Sequence, residues 1–187
     1  MSKKAPVNYV NNKQFYECIV DWKEKCQHAK DNGLEKPRVP EYAGECIHLI
    51  ANKFADKYEY RDYSFREEMI SDAIENCIMY FHDFDPEKSK NPFAYFTQIT
   101  YYAFLRRIGK EEKNRYAIYK FFDTTMALTE NADLLTDGKN NLLSEPVYDN
   151  ISQFIHNFET KETRKKKEKA AKAKEKGLAK HMKKDDT

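Results

Sequence analysis

Apolar residues return every three or four positions along most of this chain, and that period constrains its fold more than any other feature. Phe15, Cys18, Ile19, Trp22 and Cys26 form one such stripe, and Ala43, Ile47, Ile50 and Phe54 form a second. Met69, Ile70, Ala73, Ile74, Cys77 and Phe81 form a third. A period near 3.6 residues gathers each set on one side of an α-helix, whereas a half-buried strand needs strict alternation. Turn residues point the same way. With 5 Gly and 6 Pro in 187 residues, an all-β fold lacks the chemistry its many tight turns require. Aromatics reach 14%, so a core can form although 34% of residues are charged, and disorder throughout is disfavoured. The expected class is all-α.

Local signals set the boundaries. Asn12 is placed to cap the first helix, Asp31-Asn32-Gly33 ends it, and Pro37 and Pro40 bracket an extended link. A second helix starts after Pro40, and a third runs from about Phe65 to Phe81; between them Tyr58 to Tyr63 has no clear period. Asn91 can cap and Pro92 suits a first helical position, so a fourth helix begins there. At about 100° per residue, Phe93, Phe96, Thr100, Ala103, Phe104 and Arg107 share its inner side. Tyr95, Gln98, Tyr102, Leu105 and Arg106 fall roughly opposite, an aromatic and polar face that a buried helix has no need to display. Residues 123–144 read as a loop with one weak helical turn. Pro146 then opens a short amphipathic helix carrying Val147, Ile151, Phe154, Ile155 and Phe158.

Charge is unevenly spread. Residues 159–187 hold 12 Lys/Arg against 6 Asp/Glu, so a tail of +6 follows a body of −4 within a total of +2. Such a tail is either a phosphate-seeking arm or a solvated end with nothing to pack. No apolar run approaches the ~20 residues that would span a bilayer, and the N-terminus has no apolar signal segment. The chain reads as a soluble intracellular protein with no membrane partner. Cys18, Cys26, Cys46 and Cys77 follow no metal-binding spacing and read as reduced thiols, three of them within apolar stripes. Five scattered histidines and five isolated glycines offer neither a zinc motif nor a phosphate-cradling loop. Asp83 and Asp85 beside Pro86 suit a turn better than a metal-dependent nuclease. No catalytic residue, metal or cofactor is expected, and the protein is not expected to be an enzyme.

Between Glu68 and Ile108 the residues are more particular. Glu68-Met69-Ile70-Ser71-Asp72-Ala73, Asp83-Phe84-Asp85, Tyr95-Phe96-Thr97, Ala103 and Arg106-Arg107-Ile108 stand in an order and spacing that resembles region 2 of the sigma-70 family. Tyr9-Val10-Asn11-Asn12-Lys13, Asp21-Trp22-Lys23 and the segment from Asn91-Pro92 to Thr97-Gln98 are similar to one branch, the late-promoter sigma factors of T-even-type phages. The likeness covers roughly residues 8–116.

The resemblance implies a helical sigma region 2-like domain over 41–118, preceded by an N-terminal helix and linker over 1–40. A loop and C-terminal helix over 119–158 and a flexible Lys-rich tail over 159–187 would follow. It implies a phage factor in the host cytoplasm, at the nucleoid, that binds host core RNA polymerase and melts a −10-like A·T-rich element of late promoters. Glu68, Ser71, Asp72, Glu75 and Ile78 would dock on the coiled coil of the polymerase's largest subunit, acidic groups meeting basic ones. Tyr95 matches the tyrosine that captures an unstacked base of the non-template strand. Gln98, Tyr101, Tyr102 and Leu105 would share its face, with Arg106, Arg107, Lys110 and Lys113 holding phosphates. The tryptophan pair of housekeeping sigmas is Gln98-Ile99 here, so the melting wedge differs. No helix-turn-helix for a −35 element is visible after residue 116. The T-even relative ends in an acidic, apolar segment that binds a DNA sliding clamp; the Lys-rich end departs from it, which leaves a clamp or coactivator open as a partner. Two other readings stand beside this one: a polymerase-binding regulator that opens no DNA, and a general DNA-binding protein acting through the tail.

Overall fold

The computed structural model describes residues 9–128 and 145–182, with side chains described over 9–125 and 149–174. Every regular element among them is helical: α1 Asn12–Asp31, α2 Glu41–Ala55, α3 Tyr58–Arg61, α4 Arg66–Met79, a 3-10 turn Phe81–Asp83, α5 Pro92–Leu128 and α6 Glu145–Met182. The fold is all-α, as the periodicity requires. Two units divide the chain, Met1–Lys110 and Glu111–Thr187, so α5 contributes residues to both.

In the first unit each helix end has a chemical cause. Asn11, rather than Asn12, caps α1, its side chain accepting from the Gln14 N–H at 3.3 Å. Asn12 instead makes long-range bonds. Its Oδ1 accepts from the Phe93 N–H at 3.1 Å and its amide reaches the Lys90 carbonyl at 3.4 Å. Gly33 takes a φ of 64° just beyond α1, a left-handed conformation that glycine adopts without a Cβ penalty. Asn91 caps α5, accepting from the Ala94 N–H at 3.1 Å. Lys57 to Asp62, which has no apolar period, nonetheless holds the single turn α3, because Tyr60 inserts against Phe54 and Phe104.

The stripes meet in two adjoining clusters. Phe15, Ile19 and Trp22 of α1 pack with Ile47 and Ile50 of α2, Cys77 of α4, Phe81, Phe84 and Phe96. Ala51 and Phe54 of α2, Tyr60, Met69, Ile70 and Ala73 of α4, and Ala103 and Phe104 of α5 make the other. Phe96 stands at the centre of the first cluster, its ring centroid 5.3 Å from Phe15 and 5.6 Å from Phe81. Burying a side chain of this kind contributes about 1.5–3 kcal/mol. Trp22 donates its indole N–H to the Arg38 and Pro37 carbonyls at 2.9 and 3.2 Å, so a buried ring also pins the extended link. Thr100, the buried polar side chain of α5, satisfies its hydroxyl on the Phe96 carbonyl at 2.9 Å. Cys46 and Cys77 are buried, Cys18 and Cys26 half-buried, and all four are free thiols.

The second unit is built differently. Tyr116 stacks on Phe158 at 4.4 Å and Tyr119 meets Phe154 edge-on at 5.3 Å, while Ile151 and Ile155 are buried. Outside this seam Tyr116 donates to Glu159 at 2.8 Å, and Lys120–Glu159 and Lys161–Glu112 pair at 3.1 and 3.0 Å. The Tyr116 hydrogen bond, with Lys120 beside it, holds the Glu159 carboxyl below the usual range. α5 continues through Phe122 and Asp123 to Leu128, past the point where the interrupted pattern reads as a loop. Most of that reading, residues 129–144, and the side chain of Val147 lie outside the described residues. The Lys-rich segment is helical as far as Met182, a continuation favoured by its Ala, Lys and Glu content. No helix among the described residues is long and apolar enough to cross a membrane.

Candidate docking and nucleic-acid interface

α4 is two-faced. Met69, Ile70, Ala73 and Cys77 go inward, which turns Glu68, Ser71, Glu75 and Ile78 outward along three- and four-residue steps. Glu68, Ser71 and Glu75 are exposed and have no ion-pair partner among the described residues. Ile78 is 48% exposed and Met79 54% exposed, so the acidic strip ends in an apolar tip. Met79 and Tyr80 were not singled out by the sequence pattern. The signal for Met79 was available, since it sits four residues after Glu75 on the same stripe.

Asp72 does not belong with that strip. Arg107 of α5 grips it with two hydrogen bonds, Nε to Oδ2 at 2.7 Å and Nη2 to Oδ1 at 2.6 Å, in a half-buried pair. One turn on, Arg106 donates to Asn76 Oδ1 at 2.6 Å. The expectation gave Asp72 to a protein partner and Arg107 to phosphate; the fold joins them to each other instead. A fork of two parallel bonds from a guanidinium to a carboxylate is strong and directional, so this pair sets how α4 and α5 lie together. Neither charge is left over for an outside partner without breaking that seam.

The outer face of α5 carries exposed Gln98, Tyr101, Tyr102, Leu105, Arg106 and Lys110. Tyr102 is 50% exposed, and its ring lies 5.4 Å from that of Tyr101. Tyr101 also reaches the rim of the core, meeting Phe54 edge-on at 6.4 Å. Tyr95 is less accessible. Its ring packs against Phe84 at 5.3 Å and Phe96 at 5.1 Å, and its hydroxyl donates to the Tyr80 carbonyl at 3.2 Å. Burial, with a smaller contribution from Asp83, pushes its phenol pKa up. Tyr95 therefore helps fix the turn after α4 as well as facing the edge of the site. Lys113 lies in the second unit and is exposed there.

The Asp83–Asp85 segment is a turn device. Asp85 accepts the Glu87 N–H at 3.0 Å and pairs with Lys88 at 3.0 Å; the Lys88 hydrogen bond is the main reason its carboxyl titrates low. Asp83 contacts His82 at 2.9 Å. Phe84, between them, is buried in the core. Among the described residues no group of three His, Cys, Asp or Glu side chains is disposed to hold a metal ion. The first unit thus presents an unpaired acidic strip with an apolar tip on one helix and a tyrosine-rich face on the next, stitched by two arginines. No family model matches this chain, and no curated protein matches it.

Proposed function

We propose that this chain is a sigma region 2-like initiation factor of a phage, acting by binding rather than by catalysis in the cytoplasm of a bacterial host. The observation that carries the reading is the unpaired strip Glu68, Ser71, Glu75 and Ile78 on a helix whose opposite side is fully packed. Two carboxylates without partners among the described residues, Glu68 and Glu75, followed by an exposed isoleucine, suit a basic helical partner such as a coiled coil of core RNA polymerase. Tyr101 and Tyr102, with Tyr95 at the edge, are the aromatic surfaces on which unpaired bases of a −10-like A·T-rich element would stack, each worth about 1–3 kcal/mol. Arg106 and Lys110 would hold the strand's phosphates, and Lys113 would add to them. Arg107 and Asp72 serve by fixing the seam behind both faces.

The test is co-elution with core polymerase followed by permanganate footprinting of a late promoter. Glu68→Lys with Glu75→Lys should abolish co-elution, and the pair leaves Asp72 untouched so that the fold survives. Tyr102→Ala should preserve co-elution and lower thymine reactivity in the promoter complex. Retention of binding by the double charge reversal would remove α4 as the docking face. Co-elution without any permanganate-reactive thymine in the wild type would favour a regulator that opens no DNA. The exposed lysines of α6, Lys165 to Lys174, support sequence-independent DNA affinity as an accessory property. Deleting residues 159–187 should weaken total DNA binding and spare promoter choice.

A further inference from the structure

On the far side of α1 lies a group of cations that the docking and DNA faces do not use. Lys23 and Lys30 stand seven residues apart on one side of α1, about 10 Å along the axis, with Cys26 between them. The extended link returns past them because the Trp22 indole holds the Pro37 and Arg38 carbonyls, and this sets Lys36 with its Nζ 5.4 Å from the centroid of the Trp22 ring. Together with Leu34 of the link and His82 of the 3-10 turn they line a cleft of about 510 Å³. That is within the ~300–1,000 Å³ range of small-molecule sites.

The lining carries three lysines and no carboxylate. None of the three ammonium groups has an ion-pair or hydrogen-bond partner among the described residues. Two carboxylates near its rim already have partners, Asp31 in the Gln27 amide at 2.7 Å and Asp83 in His82 at 2.9 Å. Three cations lining one cleft with Trp22, Cys26 and Leu34 suit a ligand with several negative charges at one end and a flat apolar body at the other. We propose that the cleft binds a nucleoside polyphosphate, its phosphates held by Lys23, Lys30 and Lys36 and its base lying along Leu34 and Cys26. Long flexible lysine side chains can reach successive phosphates, and the Trp22 ring 5.4 Å from Lys36 Nζ holds that charge at the cleft wall. The proposal is independent of polymerase binding and stands or falls separately from it.

Trp22 is the chain's single tryptophan and lines this cleft, so tryptophan emission comes from its wall. The full chain is titrated at near-physiological salt with magnesium-free ATP, with inorganic tripolyphosphate and with adenosine, and Cys26 alkylation is followed by peptide mass. ATP should give a saturable emission change and protect Cys26, tripolyphosphate should compete with it, and adenosine should do neither. Lys23→Gln/Lys30→Gln/Lys36→Gln should weaken ATP by about tenfold or more. Leu34→Glu, at an exposed position on the link, should weaken it with the fold intact even if the triple variant is unstable. An unsaturable response, or equal ATP affinity in both folded variants, overturns the site. Protection by a short single-stranded oligonucleotide but not by ATP overturns the nucleotide assignment and gives the cations to a strand.

Discussion

The two units hold themselves together by opposite means. In residues 1–110 the large rings are driven fully inside, with Phe15, Phe81, Phe84, Phe96 and Phe104 essentially inaccessible. Among the described residues of 111–187 the seam rings Tyr116, Tyr119, Phe154 and Phe158 are half-buried, Phe121 and Phe122 are exposed, and the polar links between the helices lie at the surface. A dry aromatic core depends on volume and shape, whereas a one-layer seam depends on a few stacked rings and on ion pairs that salt screens. The first unit can therefore carry exposed, unpaired charges on α4 and α5 as a stable platform. The second has little stability to spare for carrying them.

The largest expected effect probes the core. Phe96→Ala should cost about 3–5 kcal/mol in urea unfolding of the first unit, because it empties the space among Phe15, Phe81 and Phe84. A loss below ~1 kcal/mol would erase the contrast between a volume-dependent core and a surface-tied seam. Next comes the junction of α4 and α5: Arg107→Ala should cost about 1.5–3 kcal/mol, and a double-mutant cycle with Asp72→Ala should recover most of it as coupling. Additive losses would mean that the fork adds nothing of its own. In the second unit, Phe158→Ala should cost about 1 kcal/mol, seen as faster hydrogen exchange in peptides from 149–174 while those from 41–79 hold. Equal acceleration in both sets would show that the units melt as one.

The smallest effect is one of pH. Glu159 titrates below its ordinary value of 4.5 because Tyr116 and then Lys120 stabilise the carboxylate. The folded form thus binds its proton less readily than the unfolded chain. Its contribution is present above the unfolded pKa and disappears as pH falls through the lower folded one. Exchange in the second unit should rise on acidification below about pH 4.5, and Glu159→Gln should flatten that dependence. An unchanged profile in the variant would assign the acid sensitivity to another carboxylate.

What the sequence conveyed and what it did not divide along physical lines. The α1, α2, α4 and α5 stripes were legible, since burial imposes the 3.6 period directly: Phe96, Thr100, Ala103 and Phe104 are all inside. So were the Asn91 cap and the Asp85 turn, which are local. Contacts between distant residues were not. Asp72 looks like one more carboxylate in an outward row, and nothing local reveals that Arg107, 35 residues later, reaches it. Asn12 has the chemistry of a cap but serves Phe93, 81 residues away, so its neighbour Asn11 takes the end of α1. Tyr95 is read from its position on the helical wheel as facing outward; the return of Phe84 after a turn lays a ring against it. α3 has no period because one turn is too short to show one. Of the candidate docking residues, Glu68, Ser71, Glu75 and Ile78 keep the exposure their spacing implies.

The tie between Asn12 and Phe93, together with the stacking of Phe15 on Phe96, also bears on the order in which the molecule can be made. A ribosome delivers α1 first, and its partner on α5 follows 81 residues later. At ~5–20 residues per second that interval is roughly 4–16 s, ample for a nascent helix to meet the wrong surface. Early in that time the Phe15, Ile19 and Trp22 stripe has only α2 to cover it, before Cys77, Phe81 and Phe84 follow. Translation speed across residues 30–96 is thus a variable the fold is sensitive to, and slowing it lengthens the exposure of the apolar face of α1 to chaperones and to other growing chains.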